Sequence, residues 1–122
     1  MNKKHTFIDS FRFAIEGIRF AVTHNRNIRI HMVVAVLVVI FSYVFHISVF
    51  EAGLVSIMIL LVIATEMLNT VVEEIVNMVT REYRIEAKIA KDVSAGTVLL
   101  TSLVSVVIGI LVFLPHILAL FR

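Results

Sequence analysis

The sequence predicts an all-α membrane protein, built from an N-terminal amphipathic surface helix and three transmembrane helices. Three observations carry that prediction. Hydrophobic residues make up 60% of the 122, and the mean hydropathy is +1.02. Ordinary soluble domains are roughly 45–50% apolar, and a chain this short leaves too much surface in solvent to bury the excess. The apolar residues fall into three long runs almost free of charge, and the basic residues between the runs are distributed very unevenly.

The first element is amphipathic and spans about 6–24. Phe7, Phe11, Ile15, Ile18 and Val22 recur at helical spacing, while Asp9, Arg12, Glu16 and Arg19 fall largely elsewhere on the wheel. Thr6-Phe7-Ile8-Asp9 fits a capping box. Phenylalanine on one side and arginine on the other suit a helix lying in the membrane surface. A core-packing helix is the plainer alternative.

The second element, about 30–50, has no charge from Met32 to Phe45 and is near the ~20 residues that a bilayer requires. A break is expected at Ser48–Glu51. The third element, about 52–80, is apolar from Ala52 to Thr65 and then turns acidic at Glu66. It is longer than a bilayer needs, so it is expected to project on one side. Arg81 to Asp92 reads as a polar loop, and the fourth element covers about 93–120. There is no repeat or linker, so residues 1–122 form a single membrane-embedded domain.

Charge sets the orientation. Lys3, Lys4, Arg12, Arg19, Arg26 and Arg29 precede the first span, and Arg81, Arg84, Lys88 and Lys91 lie between the second and third. Ten of the eleven basic residues thus share one side, which the positive-inside tendency makes cytoplasmic. The basic start is followed by charged residues, not an apolar core, so no secretory signal is expected. With no cysteine, disulfides and thiolate metal sites are excluded.

The chemistry sits at the end of the second span. On a helix, Glu66, Asn69, Thr70, Glu73 and Asn77 share an arc of roughly 100°. A polar stripe on a membrane helix must face protein or water, and acids there default to a functional reading. Glu66 lies fifteen residues after Glu51, about 22 Å along a helix, within a hydrocarbon core about 30 Å thick. The stripe therefore meets a lipid headgroup at one end and a soluble anion at the other. Glu66, the more desolvated, suits a general base that accepts a hydroxyl proton. Glu73, nearer water, suits Mg²⁺ on a nucleotide, and Lys91 can balance phosphate charge.

Plainer roles stand beside these. An intramembrane acid can serve ion transport. Lys91 can be a topology anchor, Asp92 an N-cap, and Asn69 a helix–helix hydrogen bond. There is no P-loop or dinucleotide fingerprint and no protein-kinase signature. The five scattered histidines read as structural or interfacial. The basic residues track topology rather than forming a patch, so no nucleic-acid partner is expected.

Glu66-x-x-Asn69-Thr70-x-x-Glu73, followed by Ala90-Lys91-Asp92-x-Ser94-Ala95-Gly96-x-Val98-Leu99, resembles the signature of prokaryotic diacylglycerol kinases. Arg26-Asn27-x-x-Ile30-His31, Ser10-Phe11-x-x-Ala14-x-x-Gly17 and Phe113-Leu114-Pro115 look closest to the Gram-positive branch, which includes undecaprenol kinases. The resemblance runs over nearly the whole chain. It implies a homotrimeric helical bundle in the bacterial cytoplasmic (inner) membrane, with active sites shared between neighbouring chains. It implies ATP- and Mg²⁺-dependent phosphorylation of undecaprenol or diacylglycerol.

By the same resemblance Glu66 matches the general base and lipid contact, and Glu73 a metal-binding and nucleotide-site glutamate. Asn69, Lys91 and Asp92 match nucleotide positions, as do Glu82, Tyr83 and Arg84. Arg29 and Ala95 match the lipid channel. The family usually has a metal-holding glutamate where this chain has Asn25, and an aspartate where it has Asn77. Asn25 is thus a metal position without charge. A weak or inactive member of the same scaffold and a small membrane transporter are the competing readings.

Overall fold

The computed structural model describes residues 6–122; Lys3 and Lys4, counted in the charge pattern, lie outside the described residues. Four helices follow in order: α1 (Phe7–His24), α2 (Arg26–Val44), α3 (Val49–Val79) and α4 (Ile85–Ala119). No strand occurs among the described residues. The last three helices are each long and apolar enough to cross a membrane.

α1 opens on the capping box read from the sequence. The Thr6 hydroxyl accepts from the Asp9 amide at 3.2 Å, and the Asp9 carboxylate accepts from the Thr6 amide at 2.8 Å. Phe7, Phe11, Ile15 and Ile18 are all exposed, leaving an apolar stripe for lipid to cover. The backbone N–H of Thr6, and then its hydroxyl, hold the Asp9 carboxyl below the usual carboxylate value. A depressed folded-state value means that the cap is at full strength above the ordinary carboxylate range and is lost as pH falls through the lowered one. Amide exchange in the first turn of α1 is therefore expected to lose its protection in acid, and Asp9→Asn should remove that pH dependence.

One residue makes the bend between α1 and α2. Asn25 caps the end of α1 through its backbone and the start of α2 through its side chain. Arg29 reaches back and donates from Nη1 to the carbonyls of Val22 (3.2 Å) and Thr23 (2.8 Å). Those carbonyls belong to the last turn of α1, where helix partners run out and the dipole is negative. α2 consequently starts four residues before the apolar run that announced it.

The turn after α2 is tight. His46 is left-handed (φ 50°), its amide donates to the Tyr43 carbonyl, and Ile47 donates to that of Ser42. These two bonds form the Schellman ending that usually takes glycine. The expected break holds at Ser48, which is extended and caps α3 through a second capping box with Glu51, while Glu51 itself lies in the first turn of α3. α3 has 31 residues, or about 46 Å, against a hydrocarbon core of about 30 Å. It therefore extends well past the apolar layer.

α4 begins at Ile85, eight residues earlier than the sequence suggests. Most of the polar run 81–92 is thus helix, and only residues 80–84 connect α3 to α4. Asp92 and the small residues Ser94, Ala95 and Gly96 lie inside α4, whose N-cap is Arg84. Asp92 is therefore not an N-cap.

α3 packs chiefly along α4 and more lightly on α2 and α1. The buried apolar residues are few: Val55, Val62, Val98 and Val112, with Ala21 and Ile28 beneath the bend. Thr65 and Thr101 meet at 3.0 Å midway, and His116 of α4 meets Glu51 at 3.2 Å at the far end. Most large apolar side chains face outward. This is the pattern of helices whose solvent is hydrocarbon, where packing and interhelical hydrogen bonds replace the hydrophobic drive.

Candidate active site

The polar stripe of α3 forms as its spacing predicts, and its deepest members are buried. Glu66 is 2% exposed and Asn69 6%, whereas Glu73 and Asn77 are exposed. A buried carboxylate demands partners. Glu66 Oε2 accepts from Asn25 Nδ2 at 3.3 Å, and Oε1 lies 3.5 Å from Nε2 of His31 on α2. The Thr70 hydroxyl donates to the Glu66 carbonyl at 3.0 Å and accepts from Asn25 Nδ2 at 2.8 Å.

One turn further, Asn69 Nδ2 donates to Glu73 Oε1 at 3.0 Å. Its Oδ1 is buried without a hydrogen-bond partner. Leaving such an atom unsatisfied costs about 1–3 kcal/mol, so Asn69 is poised for a donor or cation that arrives with a ligand. No group of three or more His, Asp or Glu side chains among the described residues could hold a metal ion alone. A hard cation that arrives on a phosphate needs only one or two protein carboxylates. Glu73 and Asn69 carry oxygens of that kind, and in this structure Asn69 turns its amide nitrogen to Glu73.

Two cavities flank the stripe. Towards the basic end, a cavity of about 440 Å³ is lined by Glu82, Tyr83 and Arg84 from the connection, Lys91 and Asp92 from α4, and Asn77 from α3. Arg81 and Lys88 also line it, giving four cations against two carboxylates. Its side chains are tied together. Lys91 Nζ donates to Asn77 Oδ1 at 2.8 Å, Lys88 pairs with Asp92, and the Thr80 hydroxyl accepts from the Glu82 amide at 3.1 Å. A cationic wall with one exposed aromatic ring, Tyr83, is suited to a phosphorylated ligand that carries a flat base.

The other cavity, about 200 Å³, lies between α2, α3 and α4. Val34, Val38, Met58 and Val62 line it, and His31 stands at its polar end beside Glu66. His31 thus links the apolar slot to Glu66, from which the polar stripe runs on to Asn77 at the cationic cavity.

The candidate residues form two groups. Glu66, Asn69 and Glu73 gather along α3, with Asn25 against Glu66. Glu82, Tyr83, Arg84, Lys91 and Asp92 gather around the cationic cavity. Arg29 and Ala95 join neither: the Arg29 guanidinium is turned to α1, and Ala95 is exposed on α4. Sequence reasoning missed His31, whose contact with Glu66 arises only when α2 packs on α3. It also left Arg81 and Lys88 unassigned, although Lys88 stands one helical turn before Asp92.

Residues 12–113 match the family model described as prokaryotic diacylglycerol kinase. The chain is 37% identical over 112 residues to a diacylglycerol kinase of Synechocystis sp., a match covering 91% of this chain and 64% of that relative. It is 33% identical over 114 residues to an undecaprenol kinase of Bacillus subtilis, covering 93% of each. The chain therefore spans just under two thirds of the first relative's length and nearly all of the second's.

Proposed function

Because the chain belongs to the prokaryotic diacylglycerol kinase family, we propose that it is a lipid kinase. In this reading it transfers the γ-phosphoryl group of ATP to the hydroxyl of undecaprenol or diacylglycerol. The observation that carries the reading is the placement of Glu66, a buried carboxylate next to His31 at the end of an apolar slot and at the head of a polar stripe that reaches the cationic cavity at Asn77.

The lipid hydroxyl approaches Glu66 from the bilayer. Its oxygen bonds to the γ-phosphorus as the bond to the bridging oxygen breaks, and ADP leaves with that electron pair. The hydroxyl proton passes to Glu66, which acts as general base. Lys91 and Arg84 offset phosphate charge, which is most of what phosphoryl transfer asks of a protein. Tyr83 faces the base, and Glu82 and Asp92 orient the sugar and the neighbouring cations, while a place for Arg29 and Ala95 on the lipid path rests on the family resemblance alone. Glu73 and Asn69 would hold Mg²⁺, which supplies charge neutralisation on the phosphates when bound.

The exposed part of the stripe is only half enclosed by one chain, which favours a homotrimer in which neighbours complete each site. The uneven basic charge favours the bacterial inner membrane with the N-terminus and the α3–α4 connection cytoplasmic.

The test is transfer from labelled ATP with Mg²⁺, offering undecaprenol and diacylglycerol separately in mixed micelles. Transfer to one of them is the expected result, and its identity names the substrate. No transfer to either from folded, trimeric protein would leave a scaffold without the chemistry, in keeping with the uncharged Asn25 and Asn77.

A further inference from the structure

Asn25 stands where the sequence suggests a metal position, yet its side chain is already fully engaged. An amide offers two N–H donors and one oxygen with two lone pairs. The oxygen accepts from the backbone amides of Asn27 at 2.8 Å and Ile28 at 3.4 Å. The nitrogen donates to the Thr70 hydroxyl at 2.8 Å and to Glu66 Oε2 at 3.3 Å. Backbone N–H groups can only donate, so the two at the start of α2 dictate which end of the amide is oxygen. The NH₂ group is thereby turned onto Glu66, and no lone pair remains for a cation.

We propose that Asn25 is a positioning residue for phosphoryl transfer, not a metal ligand: its amide holds the Glu66 carboxylate in the orientation that accepts the lipid proton. The proposal rests on the lipid-kinase reading with Glu66 as base. Asn25 donates to one Glu66 oxygen, and His31 stands 3.5 Å from the other. Because Asn25 is also the single residue joining α1 to α2, the same amide ties the surface helix to the reacting centre.

Asn25→Asp separates the two readings by the sign of its effect. Aspartate caps a helix as well as asparagine does, so the bend is kept, but it sets an oxygen against Glu66 in place of a donor. Misplacing a reacting group by an ångström can cost about a hundredfold. The expected result is a kcat lower by about 10- to 100-fold, with the lipid KM and the half-saturating Mg²⁺ concentration unchanged. Calorimetric affinity for Mg·ATP should be unchanged as well. A metal ligand behaves oppositely, since an added carboxylate would tighten Mg·ATP and raise kcat. That outcome, or an unchanged kcat, overturns the proposal.

If Asn25→Asp does not fold in detergent, Asn25→Ser decides, because serine keeps the cap while its shorter side chain loses the amide NH₂ that reaches Glu66. Wild-type kcat in that variant overturns the proposal, and a loss confined to kcat supports it. Wild-type protein that phosphorylates no lipid removes the kinase reading and the positioning role with it. An active wild type with indifferent variants removes the positioning role alone.

Discussion

Glu66→Gln is expected to lower lipid phosphorylation by roughly 10²- to 10⁴-fold, the usual worth of general-base catalysis. The substitution changes little else. Glutamine has the shape of glutamate, and its carbonyl can still accept from Asn25 while its amide faces His31. The buried site should therefore stay filled and satisfied, and the variant should unfold in detergent at nearly the wild-type temperature. Mg·ATP affinity should also hold, because Glu73 and the cationic cavity are untouched. What is lost is the ability to take the hydroxyl proton. A loss of kcat with unchanged Mg·ATP binding would locate the defect in chemistry, whereas transfer within threefold of wild type would remove Glu66 from the mechanism.

Glu73→Gln should act on the metal instead. Glu73 is exposed and shares its Oε1 with Asn69 Nδ2, a bond that glutamine can keep. The charge disappears, and metal stabilisation of transferring phosphate is worth several kcal/mol at about 1.36 kcal/mol per tenfold. At fixed Mg²⁺ the rate should drop by about a hundredfold or more. The half-saturating Mg²⁺ concentration should rise at least about tenfold, and the lipid KM should hold. Titrating the rate against Mg²⁺ reads all three. An unchanged Mg²⁺ dependence would assign the metal to other residues.

The fold was largely legible because membrane helices announce themselves by composition. Charge-free runs located α2, α3 and α4, and Thr6-Phe7-Ile8-Asp9 located the start of α1. The boundaries were harder. Arg81 to Asp92 looked like a loop because it is charged, yet Ile85, Ala87, Ile89 and Ala90 are compatible with a helix, and Lys88 pairs with Asp92 one turn on. Charge reports that a segment meets water; it does not report whether the backbone is helical. The break expected at Ser48–Glu51 begins at Ser48, but Glu51 already belongs to α3, because the capping box starts the helix at once.

The site divided in the same way. Glu66, Asn69 and Glu73 were legible because one helix carries them and its period is known. The grip of Asn25 and His31 on Glu66 was not. Asn25 lies 41 residues from Glu66, and no local spacing encodes which side chains α2 and the bend deliver to α3. The engaged state of the Asn25 amide was equally hidden, because it depends on where α2 begins, four residues ahead of the apolar run.

The uninterrupted length of α3 carries one more consequence. Its first turn is set by the Ser48–Glu51 cap and the Glu51–His116 pair, and one unbroken helix connects that end to Glu66 and Glu73. The depth of the acids is therefore measured from the opposite leaflet. A bilayer thicker than the apolar stretch makes the helix tilt or draws its charged end inward, and a thinner one pushes that end outward. Hydrophobic mismatch would then shift Glu66 relative to the headgroup plane in which a lipid hydroxyl floats, so that the chain responds to the thickness of its membrane as well as to its substrate.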